Sequence, residues 1–132
     1  MEGQDTNLEK KLNVLIADDD RAIRTLLTDV LGRYTLKTVS VCDGKAALEE
    51  LEKNDYHMLF TDMIMYPGVN GDELIKEIRS KSDEKYQKLK IVVMSGTEDI
   101  KNIEKYGISG FLRKPFDITA AISYITSYNP EK

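Results

Sequence analysis

The sequence has little of several features that mark other classes of protein. Cys42 is its one cysteine, so no internal disulfide can form, and a lone cysteine suits a reducing compartment. The longest apolar run is about four residues, whereas a membrane-spanning helix needs roughly 20. Residues 1–12 are mostly polar and lack the apolar stretch of a signal peptide. We therefore predict a soluble, cytoplasmic protein with no membrane partner.

An excess of positive charge is also missing. Lysine and arginine together number 19 and aspartate and glutamate 23, so the formal charge is −4. A protein that binds the phosphate backbone of nucleic acids normally carries a basic stripe, and none is visible, so we expect no direct nucleic-acid partner. The length of 132 residues, with 41% hydrophobic and 32% charged residues, fits one globular domain. Residues 1–11 are expected to form a flexible tail.

Short apolar runs rich in β-branched residues alternate with segments of helical spacing. The runs predict five strands, at residues 14–17, 38–42, 58–61, 91–94 and 110–112. The clearest helical stripe extends from Ile23 to Tyr34, with Asp20 as its expected N-cap. Strand and helix alternating five times predict an α/β fold with a doubly wound parallel sheet. Cys42, at the end of the second run, is expected to pack in the interior.

Polar side chains follow four of the predicted strands. They are Asp18 and Asp19, Asp62, Ser95, and Lys114. In an open α/β sheet, ligands bind beyond the carboxyl ends of the strands, where the strand order reverses. If the strand order is the flavodoxin-like 2-1-3-4-5, that point falls between the first and third strands. We therefore predict that Asp18 and Asp19 lie beside Asp62.

Three neighbouring carboxylates need a cation to balance their negative charge. Carboxylates so close together repel one another and raise at least one pKa unless positive charge is nearby. Three aspartates carry −3, Lys114 contributes +1, and a divalent ion supplies the remaining +2. All the ligands are hard oxygens, and no cysteine or histidine cluster offers a softer site, which favours Mg²⁺.

Each of these residues also has a purely structural explanation. The run Asp18–Asp20 is equally typical of a helix N-cap, and Asp62 is typical of a turn. Ser95 and Lys114 are then ordinary loop residues. Their joint placement at one edge of one sheet favours the ligand site over these separate explanations.

The sequence resembles the receiver domain of two-component response regulators. The motifs that carry the resemblance are Val14–Asp20, Leu59–Met65, Val93–Gly96 and Gly110–Phe116. The resemblance implies a (βα)5 receiver domain over residues 12–128, followed by a short C-terminal tail, residues 129–132. Because so few residues follow the last helix, we expect a stand-alone receiver that signals through other proteins or passes its phosphoryl group onward.

By this resemblance, Asp62 is the phosphoacceptor. It would take a phosphoryl group from a phosphohistidine of a histidine kinase or a histidine-phosphotransfer protein. Lys114 would neutralise a phosphoryl oxygen and Ser95 would donate a hydroxyl hydrogen bond. Such a chain is a signalling phosphoacceptor rather than an enzyme for other substrates, because it catalyses only its own phosphorylation and dephosphorylation.

The resemblance also implies a ligand set for Mg²⁺. Asp19, Asp62 and the backbone carbonyl of Ile64 would bind the ion directly, and Asp18 would hold a coordinated water. The apolar side chain of Ile64 is expected to exclude attacking water and slow hydrolysis, and Thr97 is the other position that tunes the phosphoryl lifetime.

An output switch follows from the same family pattern. Ser95 would move toward the phosphoryl group and Phe111 would turn inward. The face made by the helix before the fifth strand, that strand and the last helix would then change and bind a downstream protein. Phe111 is alternatively a permanently buried core residue. A cis bond before Pro115 is expected to aim Lys114 at the crevice.

Two departures from the family pattern are visible. Tyr66 is an extra residue before Pro67, and it either covers the pocket or, as we favour, points into solvent. The segment from Ser95 to Lys114 is about three residues shorter than usual, nearly one helical turn. We therefore expect the helix within it to be short.

Two other functions remain open at this point. One is a degenerate receiver that acts as a docking module without phosphorylation. The other is a phosphatase resembling the haloacid-dehalogenase type, with Asp18 as nucleophile and Asp20 as acid, although the residues that follow do not continue that motif. His57 lies five residues before Asp62, about 16 Å along a strand, and is expected to be structural.

Overall fold

The computed structural model of the protein describes residues 12–65, 68–96 and 101–130. The strands are β1 (Asn13–Ala17), β2 (Lys37–Val41), β3 (Met58–Asp62), β4 (Lys90–Ser95) and β5 (Gly110–Arg113). The helices in these ranges are α1 (Arg21–Leu31), α2 (Gly44–Lys53), α3 (Gly71–Ser80), α4 (Glu84–Lys88), α5 (Lys101–Glu104) and α6 (Ile118–Thr126). The predictions for residues 1–11, Tyr66 and Thr97 fall outside the described residues.

All five strands pair in parallel in the order β2-β1-β3-β4-β5, which confirms the predicted topology. The three central strands β1, β3 and β4 are almost wholly buried, as parallel strands covered on both faces must be. In the central pair, Ala17 of β1 lies opposite Thr61 of β3. The residues that follow Ala17 therefore come out beside the end of β3.

Helices cover both faces of the sheet, so the fold is doubly wound as predicted. Successive side chains of a strand point to opposite faces. Leu15 packs in the cluster that includes α2 and α3, whereas Val14 and Ile16 pack in the cluster that includes α1 and α6. None of the helices within the described ranges combines the length and apolar character that a bilayer crossing demands.

Helix α1 begins where the sequence predicts. The carboxylate of Asp20 accepts hydrogen bonds from the backbone N–H of Ala22 at 2.9 Å and of Ile23 at 3.4 Å, as an N-cap does. Leu27 and Leu31 of the predicted stripe are fully buried. Leu26, at the margin of that stripe, is 47% exposed, so the helix buries a narrower face than its apolar residues suggest.

The prediction that Cys42 is buried is wrong. The second strand ends at Val41, one residue earlier than predicted, and Cys42 is exposed. The reason is the position of β2 at the edge of the sheet, where no further strand covers it. An apolar run on an edge strand looks the same in sequence as one on a central strand.

Helix α4 was not predicted, because five residues are too few to show a helical period. Asp83 caps it, its side chain accepting from the backbone N–H of Lys85, and Tyr86 is the residue of this helix that is buried. The predicted helix before β5 is present as α5, of which residues 101–104 are described.

Arg79 joins several of these segments. Its guanidinium donates to backbone carbonyls between α3 and β4 and in the loop before β5, namely those of Tyr86 at 2.6 Å, Leu89 at 2.9 Å, Gln87 at 3.4 Å, Tyr106 at 2.7 Å and Gly107 at 3.1 Å. Burial lowers the pKa of Arg79, but a guanidinium stays protonated in proteins. One side chain thus connects α3 to the nearby segment around α4 and to the loop before β5, which is more distant in sequence.

Candidate functional site

Three carboxylates meet at the carboxyl edge of the sheet. Asp18 and Asp19 follow β1, and Asp62 is the last residue of β3. One carboxylate oxygen from each residue lies within 4.8 Å of the other two. Asp18 is fully buried and Asp62 is 9% exposed, whereas Asp19 is open to solvent. The structure thus brings together the trio that the strand order predicts.

Lys114 reaches this trio from β5. Its Nζ lies 2.7 Å from Oδ2 of Asp18 and 3.2 Å from Oδ2 of Asp62. The backbone N–H of Lys114 donates to the carbonyl of Ser95 at 2.6 Å, which holds the residue to the end of β4. The bond between Lys114 and Pro115 is cis. The ammonium group therefore bridges two of the three carboxylates.

Asp18 is anchored on both oxygens. Its Oδ1 accepts from the backbone N–H of Asp20 at 2.9 Å, and its Oδ2 accepts from Lys114. Its carbonyl accepts from the guanidinium of Arg24 at 2.8 Å. In the Asp18–Asp20 run, then, Asp20 caps α1 while Asp18 turns toward the site, so the two explanations of the run apply to different residues.

Asp62 is held in an environment that disfavours its charge. Burial, and then the nearby charge of Asp18, raise the pKa of Asp62, and Lys114 and the backbone N–H of Met63 only partly oppose them. That N–H lies 2.8 Å from Oδ1 of Asp62. For Lys114, burial lowers the pKa, but the hydrogen bond and charge of Asp18, together with Asp62, outweigh burial and raise it. The lysine is therefore a fixed cation.

The charges and donor atoms fit a divalent cation. Three carboxylates and one ammonium leave a local charge of −2, and the three carboxylate oxygens can face one point. These are hard oxygen ligands, which suit Mg²⁺. His57, the chain's one histidine, is occupied elsewhere, because its Nδ1 accepts from the backbone N–H of Asn13 at 2.9 Å and its ring meets Tyr128 edge-on.

The two residues predicted to switch lie on neighbouring strands. Ser95 is the buried last residue of β4, next to Met94, which pairs with Asp62. Phe111 on β5 is half-buried rather than enclosed in the core, and the guanidinium of Arg113 lies 5.7 Å from its ring centroid. Arg113 also donates to the carbonyl of Gly96 at 2.7 Å.

Two contacts position the loop between β3 and α3, and the sequence does not predict either of them. Asn70 accepts a hydrogen bond from the backbone N–H of Met65 at 2.8 Å. Gly71 packs so closely that a Cβ atom there would collide with the carbonyl oxygen of Asp62. The Asn-Gly pair indicates only a turn in sequence. Ile64, whose carbonyl is a predicted ligand, follows β3 in this loop, and its side chain is 40% exposed.

Comparisons with known proteins all point to one family. Residues 14–126 match the family described as response regulator receiver domain. The chain is 32% identical over 113 residues to the chemotaxis protein CheY-3 of Vibrio cholerae, covering 83% of this chain and 85% of that protein. It is 25% identical over 125 residues to hybrid signal transduction histidine kinase D of Dictyostelium discoideum, covering 92% of this chain but 8% of the kinase.

A solved structure has the same fold. The receiver domain of Francisella response regulator 1452 superposes with a TM-score of 0.75 at 26% sequence identity, covering 87% of this chain and 93% of that domain. The structural similarity therefore covers most of this chain and nearly all of that domain.

Proposed function

Because this chain belongs to the response regulator receiver domain family, we propose that Asp62 accepts a phosphoryl group from a phosphohistidine of a histidine kinase or a histidine-phosphotransfer protein. One observation carries the proposal. Asp62 is a nearly buried carboxylate with a lysine ammonium at 3.2 Å and two further carboxylates beside it. That combination concentrates a nucleophile, a cation and a metal-binding oxygen set at one point.

The transfer step needs little covalent chemistry from the protein. A carboxylate oxygen of Asp62 attacks the phosphorus in line, the O–P bond forms, and the P–N bond breaks as its electron pair returns to the imidazole of the donor. Phosphoryl transfer passes through a loose transition state, so positioning and charge stabilisation supply most of the catalysis. Lys114, already fixed beside Asp62, is placed to stabilise a phosphoryl oxygen.

Asp19, Asp62 and the carbonyl of Ile64 would hold Mg²⁺ directly, and Asp18 would hold it through a water. When bound, the ion neutralises negative charge on the phosphoryl oxygens. The hydrogen bonds from Asp20 and Lys114 to Asp18 keep that carboxylate oriented toward the site whether or not the donor is present.

Signal output is proposed to follow from the added charge. A phosphoryl group brings about two negative charges and new acceptor oxygens to the end of β3. Ser95, at the end of the adjacent strand, would move toward them, and Phe111 would turn inward. The face formed by α5, β5 and α6 would then bind a downstream protein. We assign the receiver to residues 12–128, between the tails 1–11 and 129–132.

Mass spectrometry after treatment with acetyl phosphate and Mg²⁺ tests this function. We expect the parent chain to gain one phosphoryl group, which the Asp62→Asn variant should not gain. Asp55→Asn is the matched control, because the Asp55 side chain is 87% exposed and far from the trio in the fold. It should be labelled like the parent.

The alternatives give different results in the same experiment. A parent chain that gains no label would indicate a docking module that works without phosphorylation. A label on Asp18 that persists in Asp62→Asn would indicate the phosphatase-like chemistry. Either result would overturn the proposal.

A further inference from the structure

A groove of about 650 Å³ lies at the edge of the sheet opposite the carboxylates. Met58 and Lys90, the first residues of β3 and β4, line it, as do Ser109 just before β5 and Tyr128 just after α6. The phosphoacceptor site occupies the other ends of the same strands. The groove is therefore separate from the site described above.

The groove is basic, although the chain is acidic. Among the described residues, those that line it include three cations, Arg79, Lys88 and Lys90, and no aspartate or glutamate. The whole chain has a formal charge of −4. A local charge of +3 in a concave surface focuses a positive potential that the overall charge does not suggest.

These cations can still attract an anion. The N–H donors of Arg79 are taken up by backbone carbonyls, so Arg79 adds its positive charge to the groove and leaves direct contacts with an anion to Lys88 and Lys90. Lys88 lies 3.1 Å from Glu84, but both side chains are more than 70% exposed, and such surface pairs are weak. Lys90 is half-buried in the groove wall.

The lining residues favour a polypeptide as the occupant. They combine three cations with side chains and backbone from several segments of the chain, so an extended acidic segment can meet more than one cation at once. The rings of Tyr124 and Tyr128 add apolar surface that a backbone or side-chain stem can cover. Three cations without a longer basic stripe are too few to follow a nucleic-acid backbone.

We propose that this basic groove, centred on Arg79, Lys88 and Lys90, binds an acidic segment of a partner protein. The interaction does not involve Asp62, so it provides a second contact surface at the end of the domain away from the phosphoryl group. A partner could occupy it in the phosphorylated and the unphosphorylated protein alike.

Fluorescence anisotropy with a fluorescein-labelled oligoglutamate peptide tests the proposal on the full chain. The double variant Lys88→Glu/Lys90→Glu should bind about tenfold or more weakly than the parent, because attraction becomes repulsion. The matched control is Lys45→Glu/Lys53→Glu. It changes the net charge equally, through exposed lysines of α2 that do not line the groove. It should bind within about twofold of the parent.

NMR spectra of the backbone amides show where the peptide binds. Backbone amide signals of Gly107, Ser109 and Ser127 should shift on adding oligoglutamate, whereas those of Asp62 and Ser95 should not. An oligoglutamine peptide should produce no shifts. Thermal unfolding of each variant confirms that it is folded.

Absence of oligoglutamate binding by the folded parent at low salt would overturn the proposal. So would equal loss of affinity in the two double variants, or a concentration-dependent dimer whose groove signals broaden without any peptide. The Asp62→Asn variant should bind oligoglutamate like the parent. Failure of phosphorylation and failure of groove binding are therefore scored separately.

Discussion

Gly71 begins α3 directly against the backbone of Asp62. Because a Cβ at this position would meet the carbonyl oxygen of Asp62, Gly71→Ala must displace either the start of α3 or the end of β3. We expect a loss of about 1–3 kcal/mol in the free energy of unfolding, the usual cost of overpacking. Phosphorylation by acetyl phosphate should also be slower.

The control for this prediction is the next residue of the same helix turn. Asp72→Ala removes an exposed first-turn carboxylate and should cost at most about 1 kcal/mol. Urea unfolding measures both variants. Equal, small losses in the free energy of unfolding would show that the backbone around Asp62 can shift at little energetic cost. Gly71 would then have no special role.

Tyr56 and Glu50 form a hydrogen bond that gives stability a pH dependence. The Tyr56 hydroxyl donates to Oε1 of Glu50 at 2.7 Å, and this bond is the main reason that the pKa of Glu50 lies below its ordinary value. Burial, and then Glu50 itself, raise the pKa of Tyr56. A carboxylate whose pKa is lowered by folding stabilises the folded state above its unfolded pKa. That stabilisation disappears as the pH falls through the folded pKa.

In Tyr56→Phe we expect the pKa of Glu50 to rise toward its ordinary value, and the stability difference from the parent to shrink as the solution is acidified below about pH 4. NMR titration of the Glu50 carboxyl carbon checks the first point and urea unfolding at neutral and acidic pH the second. Tyr34→Phe, at a partly buried tyrosine on the other face of the sheet, is the control. An unchanged Glu50 titration in Tyr56→Phe would contradict the argument.

At the scale of elements, Arg79 links α3 to the segment around α4 and to the loop before β5. A lysine can carry the charge but lacks the planar fork that reaches several carbonyls at once. We expect Arg79→Lys to lower the free energy of unfolding by about 1–3 kcal/mol, because several partly buried carbonyls lose their donors. Amide hydrogen exchange should become faster around Leu89 and Gly107 before it does so in the central strands.

Arg33→Lys is the control, since the Arg33 side chain is 69% exposed and forms a surface pair with Asp29 at 3.4 Å. Its effect should stay within about 0.5 kcal/mol. If the two variants lose equal stability, the carbonyl contacts of Arg79 contribute no more than a surface ion pair.

The sequence predicts the central elements better than the peripheral ones. The strands and their parallel direction follow from alternating periods, which involve many residues each, whereas the order 2-1-3-4-5 comes from the resemblance to a known family. The edge position that exposes Cys42, and the short helix α4, depend on what neighbouring elements leave uncovered. Neither feature produces a hydrophobic pattern that a short stretch of sequence can show.

For the whole molecule, the carboxylate trio predicts that Mg²⁺ stabilises the folded chain. A ligand that binds only the folded state adds about 2.7 kcal/mol at a concentration of 100 times its dissociation constant. We expect Mg²⁺ to raise the thermal unfolding midpoint, and Asp19→Asn to remove most of that rise. Asp29→Asn, at a carboxylate that is 68% exposed on α1, should keep it.

Thermal unfolding in Mg²⁺ and in EDTA measures this effect. An equal rise in the parent and in Asp19→Asn would mean that the ion acts elsewhere on the acidic surface. Because this test needs no phosphoryl donor, it separates metal binding from phosphorylation.

The sequence determined the fold class and, once the strand order implied by the family resemblance is assumed, the group of residues at the carboxyl edge. It could do so because strand ends and hydrophobic periods are local features, and parallel topology brings strand ends together. Asp18, Asp19, Asp62 and Lys114 were found in this way.

Only the tertiary structure decided the contacts that depend on distance between remote segments. The packing of Gly71 against Asp62, the carbonyls collected by Arg79 and the basic groove at the opposite edge each join residues that no pattern relates. Such contacts arise from how closely the packed elements approach one another. That spacing is set by all the side chains between them and is not carried by any one stretch of sequence.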